Sequence, residues 1–112
     1  MSAGTYNLVI DQGSDFALDL VIKQSGTALN LTNYSGRAQL RTVHTASSAS
    51  ASFTVTVTNA SEGALKLQLP GSTSKNLAAG QYVYDLEIFT SSDTIVKRIV
   101  EGTVTLTPEV TR

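Results

Sequence analysis

Four groups of residues in this chain have the types and spacing that chemistry uses. His44, the single histidine, lies among Ser47, Ser48, Ser50 and Ser52, the side chains from which a Ser-His-Asp hydrolase is built. Asp85 and Glu87 sit two apart in a β-rich run and so share one strand face, roughly 7 Å from each other at strand rise. A carboxylate pair at that spacing suits glycoside hydrolysis. Asp11, Asp15 and Asp19 recur at a spacing of four, and Arg37, Arg41, Lys97 and Arg98 supply positive charge that a polyanion would seek.

Each group has a plainer reading, and the plainer reading is the stronger. No Gly-x-Ser-x-Gly elbow aims any of the serines, and a nucleophile needs a rigid seat. Residues 44–52, rich in Ser, Ala and Thr, read as a solvated loop. Asp85 and Glu87 read as part of a charged cross-strand ladder with Lys97, Arg98, Arg37 and Arg41, because the sequence offers no aromatic-lined cleft for a sugar. A spacing of four marks a helix face, yet the aspartates fall on a strand-like segment, and there is no Asp-x-Asp-x-Asp-Gly loop. Phosphate-loop and dinucleotide fingerprints are absent. The expectation is no catalytic residue, no metal site and no cofactor.

The elements that would position these residues are strands. Residues 6–10 form a first strand ended by Asp11-Gln12-Gly13. Phe16, Leu18, Leu20 and Ile22 then alternate with Ala17, Asp19, Val21 and Lys23, the period of a half-buried strand. Gln24-Ser25-Gly26-Thr27 is a turn, and residues 29–34 cap one end of the core. Arg37, Gln39 and Arg41 face out while Ala38 and Leu40 face in. Phe53, Val55 and Val57 mark another strand; residues 59–63 turn; Leu65, Leu67 and Leu69 follow, and Pro70 ends that strand because it has no donor for the ladder. Residues 72–79 are expected to make one helical turn, with Ser72 as N-cap and Gly80 closing it. The runs Gln81-Tyr82-Val83-Tyr84-Asp85-Leu86-Glu87-Ile88-Phe89 and Ile95-Val96-Lys97-Arg98-Ile99-Val100 form a hairpin. Tyr82 and Tyr84 take the face opposite Asp85 and Glu87. Pro108 ends the final strand.

Seven or eight strands at regular spacing, with turns between them, indicate an all-β protein: a single antiparallel β-sandwich over residues 1–112, with 108–112 as a short tail. Its expected core is Phe16, Leu18, Leu20, Leu40, Phe53, Val55, Leu65, Leu67, Tyr84 and Leu86. A chain of 112 residues supports one such core. Its net charge of −1, with 15% charged residues, offers no field to draw nucleic acid or an anionic membrane. Without cysteine there is no disulfide framework. The first residues carry no signal-peptide pattern and no apolar run reaches membrane-spanning length, so folding in the cytosol is expected.

A resemblance adds to this reading. Asp11-Gln12-Gly13-Ser14-Asp15-Phe16, Leu31-Thr32-Asn33-Tyr34-Ser35-Gly36-Arg37-Ala38-Gln39-Leu40-Arg41, Ala79-Gly80-Gln81-Tyr82-Val83-Tyr84-Asp85-Leu86-Glu87 and the closing Glu101-Gly102-Thr103-Val104 with Pro108-Glu109-Val110-Thr111-Arg112 occur in this order. As a set they resemble small virion proteins of tailed bacteriophages, including cyanophages and prophages. The strand layout also resembles the N-terminal immunoglobulin-like domain of upper baseplate proteins, which carry receptor-binding proteins on siphophage tails. The resemblance implies an immunoglobulin-like fold and a non-enzymatic structural role in the virion. That role would be an adaptor in tail, baseplate or fibre network, folded in the host cytoplasm and multimeric in the particle. Its partners would be other virion proteins, with no nucleic acid and no membrane. The coiled coil and receptor-binding segment of the upper baseplate pattern are missing here, so the chain would connect or decorate. A capsid decoration protein is the alternative within virions. A carbohydrate-binding adhesion module is the alternative from another class, and it is weakened by the absence of Trp. Phe89, on the face opposite Leu86 and Ile88, and the tail residues Glu109, Val110 and Arg112 are the expected assembly contacts.

Overall fold

Alternation in the residues becomes alternation in space. The computed structural model describes residues 4–24, 26–43, 45–91 and 95–108. Among them run β1 (Gly4–Thr5), β2 (Leu8–Asp11), β3 (Phe16–Val21), β4 (Lys23–Gln24), β5 (Thr27–Ala28), β6 (Ser35–Arg41), β7 (Ala51–Asn59), β8 (Ala64–Leu69), β9 (Gly80–Phe89) and β10 (Val96–Thr107). A 3₁₀ turn, Ala60–Glu62, separates β7 from β8, and a single helical turn, α1 (Gly71–Ser74), separates β8 from β9. The chain is all-β, and none of the described helical segments is long and apolar enough to cross a membrane.

Eight strands share one hydrogen-bonded path. β1 and then β2 pair in parallel with the same side of β10; from there the order is β10-β9-β6-β7-β8-β3, antiparallel throughout. β4 and β5 form a separate small hairpin. The path curls because β7 is shared. Ala51, Ser52 and Phe53 pair with β6, while Thr54 to Val57 and Asn59 pair with β8. The result is a half-barrel around one core.

That core takes the inner rows of β2, β6, β8, β9 and β10. Leu8, Ile10, Leu31, Leu40, Leu65, Leu67, Leu69, Tyr82, Tyr84, Leu86, Ile88, Val104 and Leu106 are buried in one cluster. Of the ten expected core residues, Leu40, Phe53, Leu65, Leu67, Tyr84 and Leu86 are buried; Phe16, Leu18, Leu20 and Val55 pack against the cluster but remain half-buried. Three of these four lie on β3, at one end of the sheet, where among the described residues only β8 pairs with the strand.

The helical segment departs from expectation. It spans Gly71–Ser74 instead of starting after a Ser72 cap, and Pro70 occupies the cap position without a side-chain bond. The cap comes from far along the chain, since the Gly71 amide donates to Asp15 Oδ1 at 2.7 Å. Ser74, fully buried, accepts from the Gly13 amide at 2.9 Å, and Gln12 Nε2 donates to the Leu77 carbonyl at 2.7 Å. The 12–15 turn therefore clasps α1. A Cβ on Gly71 would stand 2.5 Å from the Gly13 carbonyl oxygen, so that position needs glycine. Gly80, expected to close a helix, opens β9 instead. The expected loop over 44–52 is also shorter at its end, because Ala51 and Ser52 already belong to β7.

The other end of the sheet is held by Tyr84. Its ring meets Phe53 edge-on at 6.1 Å, and Phe53 meets Phe16 at 6.1 Å. Its hydroxyl donates to the Tyr6 carbonyl, in the short break between β1 and β2. In that break the Tyr6 amide donates to the Glu101 carbonyl at 2.9 Å, and the Asn7 side chain accepts from the Thr103 amide at 3.1 Å. Gly102 lies beneath the break, and any side chain there would run into the Tyr6 carbonyl.

Two predictions follow from this packing. Leu67→Ala should cost about 2–5 kcal/mol in denaturant melts, as deletion of a fully enclosed leucine does; a loss under about 1 kcal/mol would place Leu67 at the surface. Burial, and secondarily Tyr6, pushes the Tyr84 phenol up to about 12 from 10.0. A raised phenol keeps its stabilising effect below pH 10.0 and loses it as pH climbs through about 12. The destabilisation caused by Tyr84→Phe should therefore be smaller at about pH 11 than at about pH 9. An equal penalty at both would remove the phenol from alkaline unfolding.

Candidate functional site

The outer face of β6, β9 and β10 gathers most of the residues that sequence reasoning singled out. Register sets three rows across it: Arg37–Glu87–Arg98, Gln39–Asp85–Glu101 and Arg41–Val83–Thr103. Of the expected ladder, Arg37 and Arg98 meet the carboxylates. Arg37 Nε meets Glu87 Oε1 at 2.9 Å, and Arg98 reaches both Asp85 Oδ2 and Glu101 Oε1 at 3.3 Å. Arg41 donates to the Ala46 carbonyl at 2.9 Å and to Gln39 Oε1 at 3.0 Å. These are solvent-facing pairs, each worth about 1 kcal/mol or less.

A β-bulge makes this face possible. The pairing shifts between Arg98 and Val100, leaving Ile99 without an opposite residue on β9. Ile99 and Val100 are both buried in consequence. An unbroken alternation would put Arg98 and Glu101 on opposite faces; the extra residue brings them to the same one. The apolar doublet Ile99-Val100 within an alternating strand was the sequence signal, and it was missed.

Between the rows lies a shallow hollow of about 200 Å³, lined by Gln39, Arg41, Val83, Asp85, Arg98 and Glu101 together with the Tyr84 backbone side of β9. Asp85 sits within it. Partial burial raises its pKa above the usual carboxylate value; Glu87 and Glu101 push the same way, and Arg98 and Arg41 oppose them. Arg98 is closest, but its guanidinium is itself half in solvent, so burial prevails. The hollow carries no aromatic platform, since the Tyr82 and Tyr84 rings point into the core. Glu87 is paired with Arg37 and Asp85 with Arg98.

The remaining groups do not converge. Asp11 accepts from Thr107 Oγ1 at 2.9 Å, Asp15 caps Gly71, and Asp19 lies opposite Lys66 on β8. Among the described residues no three of His, Cys, Asp and Glu come together as metal ligands. Lys97 stands apart from the arginines, its ammonium 6.0 Å from the centroid of the Tyr34 ring. His44 lies outside the described residues, as do Glu109, Val110 and Arg112. Phe89 is on the outer face as expected, half-buried, with the Arg37 guanidinium 4.5 Å above its ring. Arg37 thus bridges Phe89 and Glu87, and Phe89 is part of the ladder instead of a bare apolar contact. Pro108 follows the last residue of β10, as its missing donor requires.

No protein-family model matches the chain, and no curated protein matches it in sequence. Among solved structures it is similar to a family 123 glycoside hydrolase from Clostridium perfringens, which hydrolyses glycolipid glycans, at 13% identity and a TM-score of 0.42. The match covers 100% of this chain and 24% of the enzyme's, so the chain spans about a quarter of that protein's length. At this level of likeness neither fold nor activity carries over.

The state of Asp85 is open to measurement. An acid whose pKa rises on folding stabilises the protein fully below its unfolded value of 3.8 and loses that effect as pH rises through the folded value. Ionised Asp85 is then a cost near neutrality. The melting temperature of Asp85→Asn relative to wild type should be more favourable at about pH 7 than at about pH 3. The reverse order would mean that the attraction of Arg98 outweighs burial.

Proposed function

We propose that the chain is a structural protein of a tailed-phage virion, an adaptor in tail, baseplate or fibre network that works through protein–protein contacts. In this reading the half-barrel is an immunoglobulin-like sandwich. The handover of β7 from β6 to β8 supports that division, with β2, β10, β9 and β6 in one layer and β7, β8 and β3 in the other. The observation that carries the functional reading is the outer ladder. Its carboxylates are tied to arginines, and its hollow lacks an aromatic surface, while the outer edge of the sheet at β3 is left without a strand partner among the described residues. A domain of that kind offers backbone edges and patterned charge, which are the means of docking to another protein. The resemblance of the ordered sequence segments to virion proteins points the same way. Mass spectrometry of gradient-purified particles from the encoding host tests it. The chain should co-purify with tail proteins, and its absence from particles would end the proposal.

In the same reading the residues after Pro108 reach a neighbouring subunit, with Val110 in an apolar notch and Arg112 paired to a carboxylate. Deleting residues 109–112 should leave the thermal melt of the isolated chain nearly unchanged and reduce its incorporation into particles. Wild-type incorporation of the truncated chain would exclude the tail as an assembly contact. Unfolding of the truncated chain would assign the tail to the fold.

A further inference from the structure

The two ends of the sheet are built differently. At one end β1 and β2 are short, and the Tyr6–Asn7 break interrupts them. Short and broken strands are how proteins keep an edge from pairing with another chain. At the other end β3 runs six residues without interruption, and among the described residues it pairs only with β8. It has no proline, lysine or bulge, and its one charge, Asp19, points outward. Its inner row of Phe16, Leu18 and Leu20 is half-buried, whereas the facing row of Leu65, Leu67 and Leu69 on β8 is at most 1% exposed. The core is open along this edge.

We propose that β3 is a self-pairing edge, which joins antiparallel to β3 of a second copy about a two-fold axis. The inference deepens the assembly reading by naming the partner at one edge. The strand Phe16-Ala17-Leu18-Asp19-Leu20-Val21 has an apolar inner row and an outer row of Ala17, Asp19 and the exposed Val21, so a second copy supplies the pattern that covers the first. A two-fold axis opposes residues whose numbers have a constant sum. The inner rows stay on one face only when that sum is even. Two registers then overlap well. In one, Asp19 opposes Asp19 of the second copy, which places two carboxylates about 5 Å apart at their Cβ atoms and is unfavourable. In the other, Leu18 opposes Leu18, Phe16 opposes Leu20, and Ala17 opposes Asp19, with no like charges facing. Charge therefore selects the second register.

Because the chain has no cysteine, single cysteines report this register directly. Full-length Ala17→Cys and Asp19→Cys, one carrying a mass tag, are mixed and oxidised; both positions are exposed, so the fold should tolerate them. The mixed disulfide should exceed several-fold the one formed when Ala17→Cys is mixed with Val21→Cys, a pair that keeps Asp19 in both copies and is brought together only in the rejected register, and should exceed by as much the dimer formed by Thr103→Cys on the outer face of β10. A larger yield from Ala17→Cys with Val21→Cys would overturn the register, and yields equal to the Thr103→Cys control would overturn self-pairing. In sedimentation equilibrium Ala17→Asp, which sets a carboxylate against Asp19, should weaken self-association several-fold, and Ala17→Lys should strengthen it. Identical behaviour of the two would also overturn the proposal. These measurements use the purified chain, so they are independent of whether it is found in particles.

Discussion

The Tyr84 side chain ties the core of the sheet to its N-terminal strands. Its ring fills the core against Phe53, which in turn touches Phe16, so β9, β7 and β3 are linked through three rings. Its hydroxyl leaves the core at the one place where the N-terminal strand breaks and binds the Tyr6 carbonyl. A buried phenol without a partner would be costly; this one is satisfied by a backbone group that the break has itself freed from the ladder. The same contact explains Gly102, since the chain must come close enough for the carbonyl to be reached. Packing and hydrogen bonding thus fix β1 and β2 on β10 although those strands are too short to hold by their own ladder.

The clasp between residues 12–15 and α1 does similar work elsewhere. A helical turn of four residues has almost no intrinsic stability. Asp15 and Ser74 give it partners more than fifty positions away in sequence, and the turn in exchange holds the connection from β2 to β3. Those two strands sit at opposite ends of the sheet path, so the clasp fixes how the half-barrel closes.

Much of this was legible in the residues. Period-two alternation located β3, β6, β7, β8 and β9 and divided their faces correctly, because burial on one side imposes the pattern directly. Pro70 and Pro108 ended their strands for a local reason, the missing amide hydrogen. What could not be read depended on distant groups. Ser72 has the right chemistry for an N-cap, yet the cap is Asp15, and no local rule compares a residue with one fifty-six positions away. The bulge at Ile99 was hidden because an apolar doublet also fits a strand buried on both faces. The charged ladder was foreseen as a set, but which arginine meets which carboxylate depends on the bulge, and so on the whole register of β9 and β10.

That ladder has a consequence for what the face can do. Three arginines, Arg37, Arg41 and Arg98, share it with three carboxylates, Asp85, Glu87 and Glu101. The charges cancel over the face, so it has no long-range pull on a polyanion and cannot accelerate encounter by steering. What remains is short-range pattern: a donor-rich row beside an acceptor-rich row, with the hollow between them. Patterned charge of this kind discriminates between partners more than it adds affinity. It suits a surface that meets its partner already positioned by other contacts, where a wrong match is rejected by opposed charges and a right one gains little. Within the assembly role proposed for this chain, affinity would then come from strand edges and apolar cover, and the ladder would determine which subunit is accepted.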